Sequence, residues 1–339
     1  MVKRLSGEVL GALLLFGALI LGAAGGLAGL EMSSLAHLAE TYLLPLFFIQ
    51  VGIELRDEFT RGHFTRRRNL IPPALGALFG VAGPAVIYIC IAGKEGWAVP
   101  TATDITLGLA AIALFARKFG LRAKFLALAT IDDLLGLLIL LIFFSTHISV
   151  AFLALTVFAL VGLAFSQRFT DRISEPLLGL GAIAILMASQ SGIQTSVIGF
   201  TVGLLLKDFR YESGLKAINN LFTLPIFGFL VLAANIGGGV ASLNLTIFIA
   251  VALRPIGKVI GISIGGAIGE RLIGSAWNVR TWTLIGLLGG LGLTVSFLVA
   301  NLSFSQPLDR LSAVLATLLA SVVSLGLFAA VTSRRARRA

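Results

Sequence analysis

Residues 121–145 read LRAKFLALATIDDLLGLLILLIFFS. After the cationic start at Arg122 and Lys124 the run is apolar, broken mainly by two adjacent carboxylates, Asp132 and Asp133. An apolar run of roughly 20 residues is long enough to cross a bilayer as a helix. A charged side chain at the bilayer centre costs at least about 2.5–3.5 kcal/mol on insertion scales. Two in succession are doubly costly, so the pair is the first candidate functional site. Successive helical residues point about 100° apart. Asp132 and Asp133 therefore line neighbouring faces of one cavity. Like charges this close resist ionising together. Such a pair can take a proton, or lose it and coordinate a hard cation through oxygen. The plainer reading is that one aspartate caps a kink and the other satisfies a hydroxyl.

The same pattern fills the chain. Of 339 residues, 57% are hydrophobic and 12% charged, with a mean hydropathy of +1.00. A soluble domain carries about 25% charged residues, so there is too little polar surface here to cover an ordinary globular core. About twelve apolar segments are expected, near 7–30, 38–55, 69–93, 99–117, 121–145, 148–166, 175–190, 193–206, 217–236, 245–269, 281–301 and 310–332. The seventh and eighth divide at Ser189-Gln190-Ser191-Gly192. The alternating short segments of a β-barrel are absent. The expected fold is an all-α polytopic membrane protein, a single transmembrane domain over 1–339 with no soluble domain. The run from about Val9 to Leu30 exceeds a signal-peptide core and reads as the first membrane helix.

The net charge is +10, which in a soluble protein would raise nucleic-acid binding. The positions of the charges argue otherwise. If the N-terminus is cytoplasmic, alternate connections should be rich in Lys and Arg. Those connections hold Lys3 and Arg4, then Arg56 and Arg61 to Arg68, Arg117 to Lys124, Arg168 and Arg172, Lys207 to Lys216, Arg271 and Arg280, and the tail 333–339. Together they carry 22 of the 26 basic residues. The opposite connections hold only Lys94 and Arg310. An error of one helix would invert the pattern, so it supports an even number of spans with both termini cytoplasmic. The basic excess is an orientation signal, and it can also touch anionic lipid. Cys90, the one cysteine, lies in an apolar run and reads as a small buried hydrophobe. His37, His63 and His147 have no metal-ligand spacing.

Further charges fall at mid-segment: Asp104, Arg254 and Lys258, with Glu54 nearer the cytoplasmic end of its segment. Asp104 follows Pro100 in Thr101-Ala102-Thr103-Asp104-Ile105-Thr106, which reads as a break in the fourth segment. Non-helical backbone at membrane depth persists only where it lines a cavity or is covered by protein. The alternative is an ordinary N-cap near the surface. The eleventh segment has a matching weak spot at Gly289-Gly290-Leu291-Gly292-Leu293-Thr294-Val295-Ser296, or else a small-residue packing face. Interruptions at corresponding places in two halves, about 69–145 and 245–332, suggest inverted repeats. Arg254 and Lys258 are four residues apart and share a helix face. A cation there needs an anion, and the aspartates are the mid-membrane candidates.

These residues resemble the NhaA-type sodium/proton antiporters. Val51-Gly52-Ile53-Glu54-Leu55, Glu95-Gly96-Trp97-Ala98-Val99-Pro100-Thr101-Ala102-Thr103-Asp104 and Ala129-Thr130-Ile131-Asp132-Asp133-Leu134 look like three of the family's signatures. Leu224-Pro225-Ile226-Phe227 and Gly292-Leu293-Thr294-Val295-Ser296 look like two more. The resemblance implies secondary antiport of Na⁺ or Li⁺ against H⁺ by alternating access in a bacterial inner membrane, with no cofactor beyond the transported ions. It implies that Asp133 is the main cation ligand, with Asp132 and Thr103 contributing. Asp132 would pair with a cation on the tenth segment. Thr103 and Asp104 would sit where two interrupted helices cross, and Glu54 at a cytoplasmic funnel.

There are departures from the family pattern. Its lysine lies in a Gly-Lys-Pro-Leu-Gly setting. Leu253-Arg254-Pro255-Ile256-Gly257 keeps the proline but has arginine, whereas Gly257-Lys258-Val259-Ile260-Gly261 keeps the lysine without the proline. The proline register favours Arg254 as the partner of Asp132. Arginine stays protonated, whereas a buried lysine can release its proton. No histidine precedes Leu224-Pro225, where relatives have one linked to pH response, and Asp57 replaces a basic residue. The first connection is shorter than the family's, which carries a β-hairpin used in dimer contact, so a homodimer loses its usual support. Among rivals, a sodium-coupled solute symporter would need its solute for flux, and a channel would not saturate. An intramembrane aspartyl protease needs one aspartate on each of two helices and a Gly-x-Gly-Asp motif, which the sequence lacks. The chain therefore reads as a transporter and not an enzyme.

Overall fold

The computed structural model describes residues 7–60, 67–145, 148–166, 175–206, 211–237, 243–275 and 278–336. Several basic residues of the charge argument lie outside them: Lys3, Arg4, Arg61, Arg66, Arg168, Arg172, Lys207, Arg210, Arg337 and Arg338. So do His63 and His147. Among the described residues every regular element is helical and no strand occurs. The order is α1 (Gly7–Leu27), α2 (Ser33–Leu38), α3 (Leu44–Thr60), α4 (Arg67–Ala92), α5 (Ile105–Phe115), α6 (Arg122–Phe143), α7 (Val150–Ser166) and α8 (Glu175–Ala188). Then follow α9 (Thr195–Leu205), α10 (Glu212–Ile218), α11 (Leu224–Ile236), α12 (Leu245–Ala252), α13 (Arg254–Leu272), α14 (Val279–Gly289), α15 (Thr294–Ser303) and α16 (Pro307–Ala336).

Among the described residues, seven continuous helical stretches are long and apolar enough to cross a membrane, and α14 with α15 form one more as a pair bent by 58°. Shorter apolar helices cover 99–115, 150–166, 179–188 and 195–205. Large apolar side chains such as Ile20, Val150, Phe158 and Val322 point outward. On a soluble protein such a surface would aggregate; against lipid tails it is the ordinary exterior. The chain is an integral membrane protein. Cys90 belongs to this exterior: it is exposed on α4, not buried as its apolar setting suggests. An apolar run does not say which face of its helix meets lipid.

Two stretches, Ala39–Leu43 and Asn219–Thr223, open into π-helix, and each is followed by Leu-Pro: Leu44-Pro45 and Leu224-Pro225. Proline has no N–H to give to the carbonyl four residues back. The ladder widens by one residue ahead of it. The α1–α2 connection, residues 28–32, is short and carries no strand.

Packing near the centre relies on missing side chains. Gly257, Gly261, Gly265 and Gly269 recur every four residues on α13 and face α4. A Cβ at Gly261 would lie 2.0 Å from the Phe79 carbonyl oxygen, and one at Gly265 would lie 2.2 Å from that of Leu75. Small residues let two backbones approach this closely without a hydrophobic driving force. The contact fixes the rotation of α13, and so the direction in which Arg254 and Lys258 point.

Candidate functional site

The fourth and eleventh segments both break, and the breaks are bonded to each other. Residues 102–104 leave the helix before α5, and residues 290–293 separate α14 from α15. Asp104 donates its N–H to the Leu291 carbonyl (2.8 Å). Thr103 donates its hydroxyl to the Gly289 carbonyl (2.9 Å). Asp104 is also the N-cap of α5, its Oδ1 accepting from Leu107 N–H at 3.1 Å. The motif is thus a break whose aspartate also caps a helix, but the cap is buried and not near the surface. Its Oδ2 accepts from Thr294 Oγ1, the first residue of α15, at 3.3 Å. One buried carboxylate meets the starts of two helices, where the peptide dipoles favour negative charge.

Arg254 does the converse. Its guanidinium donates to the Gly292 carbonyl (2.8 Å) and to the Ala102 carbonyl, oxygens of the two breaks. The side chain is fully buried. A cation is favourable where the C-terminal carbonyls of helical turns converge. Glycine at 292 is obligatory for this contact, because a Cβ there would fall 1.7 Å from Arg254 Nη2 and 2.6 Å from the Ala102 oxygen.

Asp132 is held by Lys258. The ammonium lies 3.0 Å from Oδ1 and 2.9 Å from Oδ2, with both side chains wholly inaccessible. This corrects the proline-register expectation that Arg254 is the partner. Arg254 is one helical turn away and its hydrogen bonds go to the backbone of the breaks. Asp133 is placed differently from its neighbour. It is buried, and no described donor reaches its Oδ2. A buried polar atom without a partner is a candidate for function.

Glu54 lies in a separate cluster. It accepts from Gln50 Nε2 (2.8 Å) and pairs with Lys216 Nζ (3.1 Å). Gln50 Oε1 accepts in turn from Asn219 Nδ2 (2.8 Å), on the second π-stretch. A narrow pocket joins Glu54 and Lys216 to Ile105 and Thr106, the first turn of α5 after Asp104. Sequence reasoning found Glu54 but missed Gln50, Lys216 and Asn219. A signal existed, since Gln50 is a lone amide within Phe47-Phe48-Ile49-Gln50-Val51.

This geometry coincides with one sequence family. The model of the family described as Na+/H+ antiporter 1 matches residues 19–332. The chain is 36% identical to Na(+)/H(+) antiporter NhaA 2 of Clavibacter michiganensis subsp. michiganensis, over 90% of this chain and 81% of the relative. It is 33% identical to Na(+)/H(+) antiporter NhaA of Mycolicibacterium smegmatis, over 88% and 75%. It is 31% identical to Na(+)/H(+) antiporter NhaA of Mesorhizobium japonicum, over 85% and 79%. The matched range takes in both helix breaks, the aspartate pair and α13, and the chain belongs to the Na+/H+ antiporter 1 family.

Proposed function

We propose that this chain exchanges cytoplasmic Na⁺, or Li⁺, for external protons by alternating access. The observation that carries the reading is the asymmetry of the aspartate pair: Asp132 is neutralised by Lys258, while Asp133 Oδ2 has no partner among the described residues. A hard cation is coordinated by oxygen, and Asp133 is the carboxylate free to supply it, with Asp132 and the Thr103 hydroxyl as the further oxygen ligands of this reading. Protons compete for the same oxygens. A cation that engages Asp132 as well must loosen the Lys258 contact. Because the partner is a lysine, it can release its proton in that exchange; Arg254 cannot, and keeps its charge. The proton-carrying groups are therefore Asp132, Asp133 and Lys258, and Arg254 with Asp104 forms the fixed frame.

In this reading α5 and the α14–α15 pair are two interrupted helices that cross at residues 102–104 and 290–293. The shorter helices α7, α8 and α9 also span, giving twelve crossings with both termini in the cytoplasm. Glu54 then faces a cytoplasmic funnel. The basic connections lie against anionic lipid of a bacterial inner membrane. Inverted repeats near 69–145 and 245–332 would rock against the rest around the fixed site.

In proteoliposomes holding an imposed ΔpH, adding Na⁺ should collapse the gradient with no organic solute present. A sodium-coupled symporter would not respond. Asp133→Asn should abolish the response, and unchanged activity in that variant would sink the assignment.

A further inference from the structure

A cavity of about 350 Å³ opens between the first π-stretch, the turn joining α8 to α9, and the end of α15 at Leu302. It belongs to neither the aspartate pair nor the Glu54 cluster. Under the orientation proposed above it is the external mouth. Its lining is rich in oxygen: Glu40, Thr41, Ser189, Gln190, Gln194 and Thr195. Liquid water occupies about 30 Å³ per molecule, so the space admits a partly hydrated ion. Among the described lining residues Glu40 is the one carboxylate.

Glu40 is held in place without being neutralised. Its Oε1 accepts from Asn301 Nδ2. Asn301 Oδ1 accepts from Asn235 Nδ2 (3.3 Å), which also donates to the Val231 carbonyl (2.8 Å). Among the described residues no ammonium or guanidinium forms an ion pair with Glu40. Arg310 and His37 act on it electrostatically, but the Arg310 guanidinium donates to the Ser305 carbonyl instead (3.2 Å). The connection inward is physical. Asn301 stands seven residues beyond Thr294 on α15, roughly 10 Å along the axis. One end of α15 is bonded to Asp104 and the other to Glu40. Glu40 also sits in the π-stretch ahead of Pro45, and such widened turns recur at functional positions.

We infer that Glu40 is a second cation site, which captures and releases the transported ion at the external mouth. The inference rests on the antiport reading and its orientation. A fixed carboxylate in a concave mouth raises the local concentration of cations, so its removal should act on one side of the membrane only. The test is Na⁺/H⁺ exchange in right-side-out and inside-out vesicles, comparing wild type with Glu40→Gln and Arg310→Gln. Glu40→Gln should raise the apparent KM for external Na⁺ by roughly 3- to 10-fold and leave the cytoplasmic KM within about twofold. Arg310→Gln removes a nearby positive charge and should lower the external KM, an opposite change that a folding defect in Glu40→Gln cannot imitate. An unchanged external KM in both variants overturns the site, and so do equal shifts on the two sides. If wild type itself shows no Na⁺-driven proton flux, the antiport reading fails. If wild type exchanges and the variants show no sidedness, Glu40 alone fails.

Discussion

Helices α6 and α13 are joined by two lysine–carboxylate pairs with the charges exchanged between the helices. Inside, Asp132 of α6 meets Lys258 of α13 at 2.9 Å, and neither side chain has accessible surface. Toward one end, Lys124 of α6 meets Glu270 of α13 at 2.6 Å, with the lysine side chain 46% exposed. Leu128 and Ile262, both fully buried, belong to the two helix stretches between the pairs. The outer pair has other partners. Lys124 lies 5.6 Å from the centre of the Trp282 ring, and Glu270 Oε2 accepts from the Asn278 N–H (2.9 Å). For the inner pair, the Lys258 ammonium has no described hydrogen-bond acceptor besides Asp132. The same chemistry therefore does different work. The outer contact fastens two helix ends in water's reach. The inner one can be opened cheaply only if another cation or a proton takes the vacated charge, which is what an exchanger requires.

The largest effect should come from removing one member of the inner pair. Lys258→Met leaves Asp132 buried and uncompensated, a defect that costs about 3–5 kcal/mol in comparable cases. The double variant Lys258→Met with Asp132→Leu removes both charges, and replacing a buried pair with apolar groups is often close to neutral. Thermal unfolding in detergent should therefore show the single variant less stable than the double one. Equal losses would mean that the pair is not isolated from other partners. The single variant should also lose Na⁺-driven proton flux.

Next in size is the frame beside the pair. Arg254→Lys keeps the charge but not the two-pronged reach to Gly292 and Ala102. Losing one charge-assisted bond there should cost about 1.5–3 kcal/mol, read as a lower midpoint in detergent. Gly292→Ala should cost about 1–3 kcal/mol by overpacking, since its Cβ would collide with both Arg254 and the Ala102 backbone. Gly290→Ala is the control. The Cβ there would meet chiefly Ser324 Oγ, a hydroxyl that can rotate away, so the loss should be smaller. A larger loss at 290 than at 292 would contradict the placement of Arg254.

The legible parts of this arrangement were those that carry an energetic cost. Asp132-Asp133 and the breaks at 102–104 and 290–293 stand out because charge and open backbone are expensive in lipid. The partner of Asp132 was not legible. Arg254 and Lys258 share a helix face, and spacing fixes that angle but not the depth at which α6 meets α13. The depth comes from the glycine ladder that seats α13 on α4, a tertiary contact. The proline register pointed to the wrong turn for this reason. Glu40 stayed hidden because it lies near a segment end, where a carboxylate is ordinary; only the cavity and the amide chain through Asn301 single it out.

The smallest effect should be at the outer pair, and it sharpens the comparison most. Lys124→Ala removes an ion pair whose cation is nearly half exposed, and exposed pairs contribute about 0–1 kcal/mol. The contact with the Trp282 ring adds about 0.5–1 kcal/mol at such a site. Glu270, though only 4% exposed, keeps its bond from Asn278 and lines a cavity of about 350 Å³ that water can enter once the lysine is gone, so its charge is not left unsolvated. The loss in detergent should therefore be at most about 2 kcal/mol. The ion-pair part should shrink as ionic strength rises past the range where the Debye length is about 10 Å. The Lys258→Met loss, at a pair with no accessible surface, should be insensitive to salt. Measuring both midpoints at low and high salt separates the two contacts by screening alone. If Lys258→Met responded to salt as Lys124→Ala does, the inner pair would be reached by solvent, and its role as a barrier opened only by ion exchange would fall.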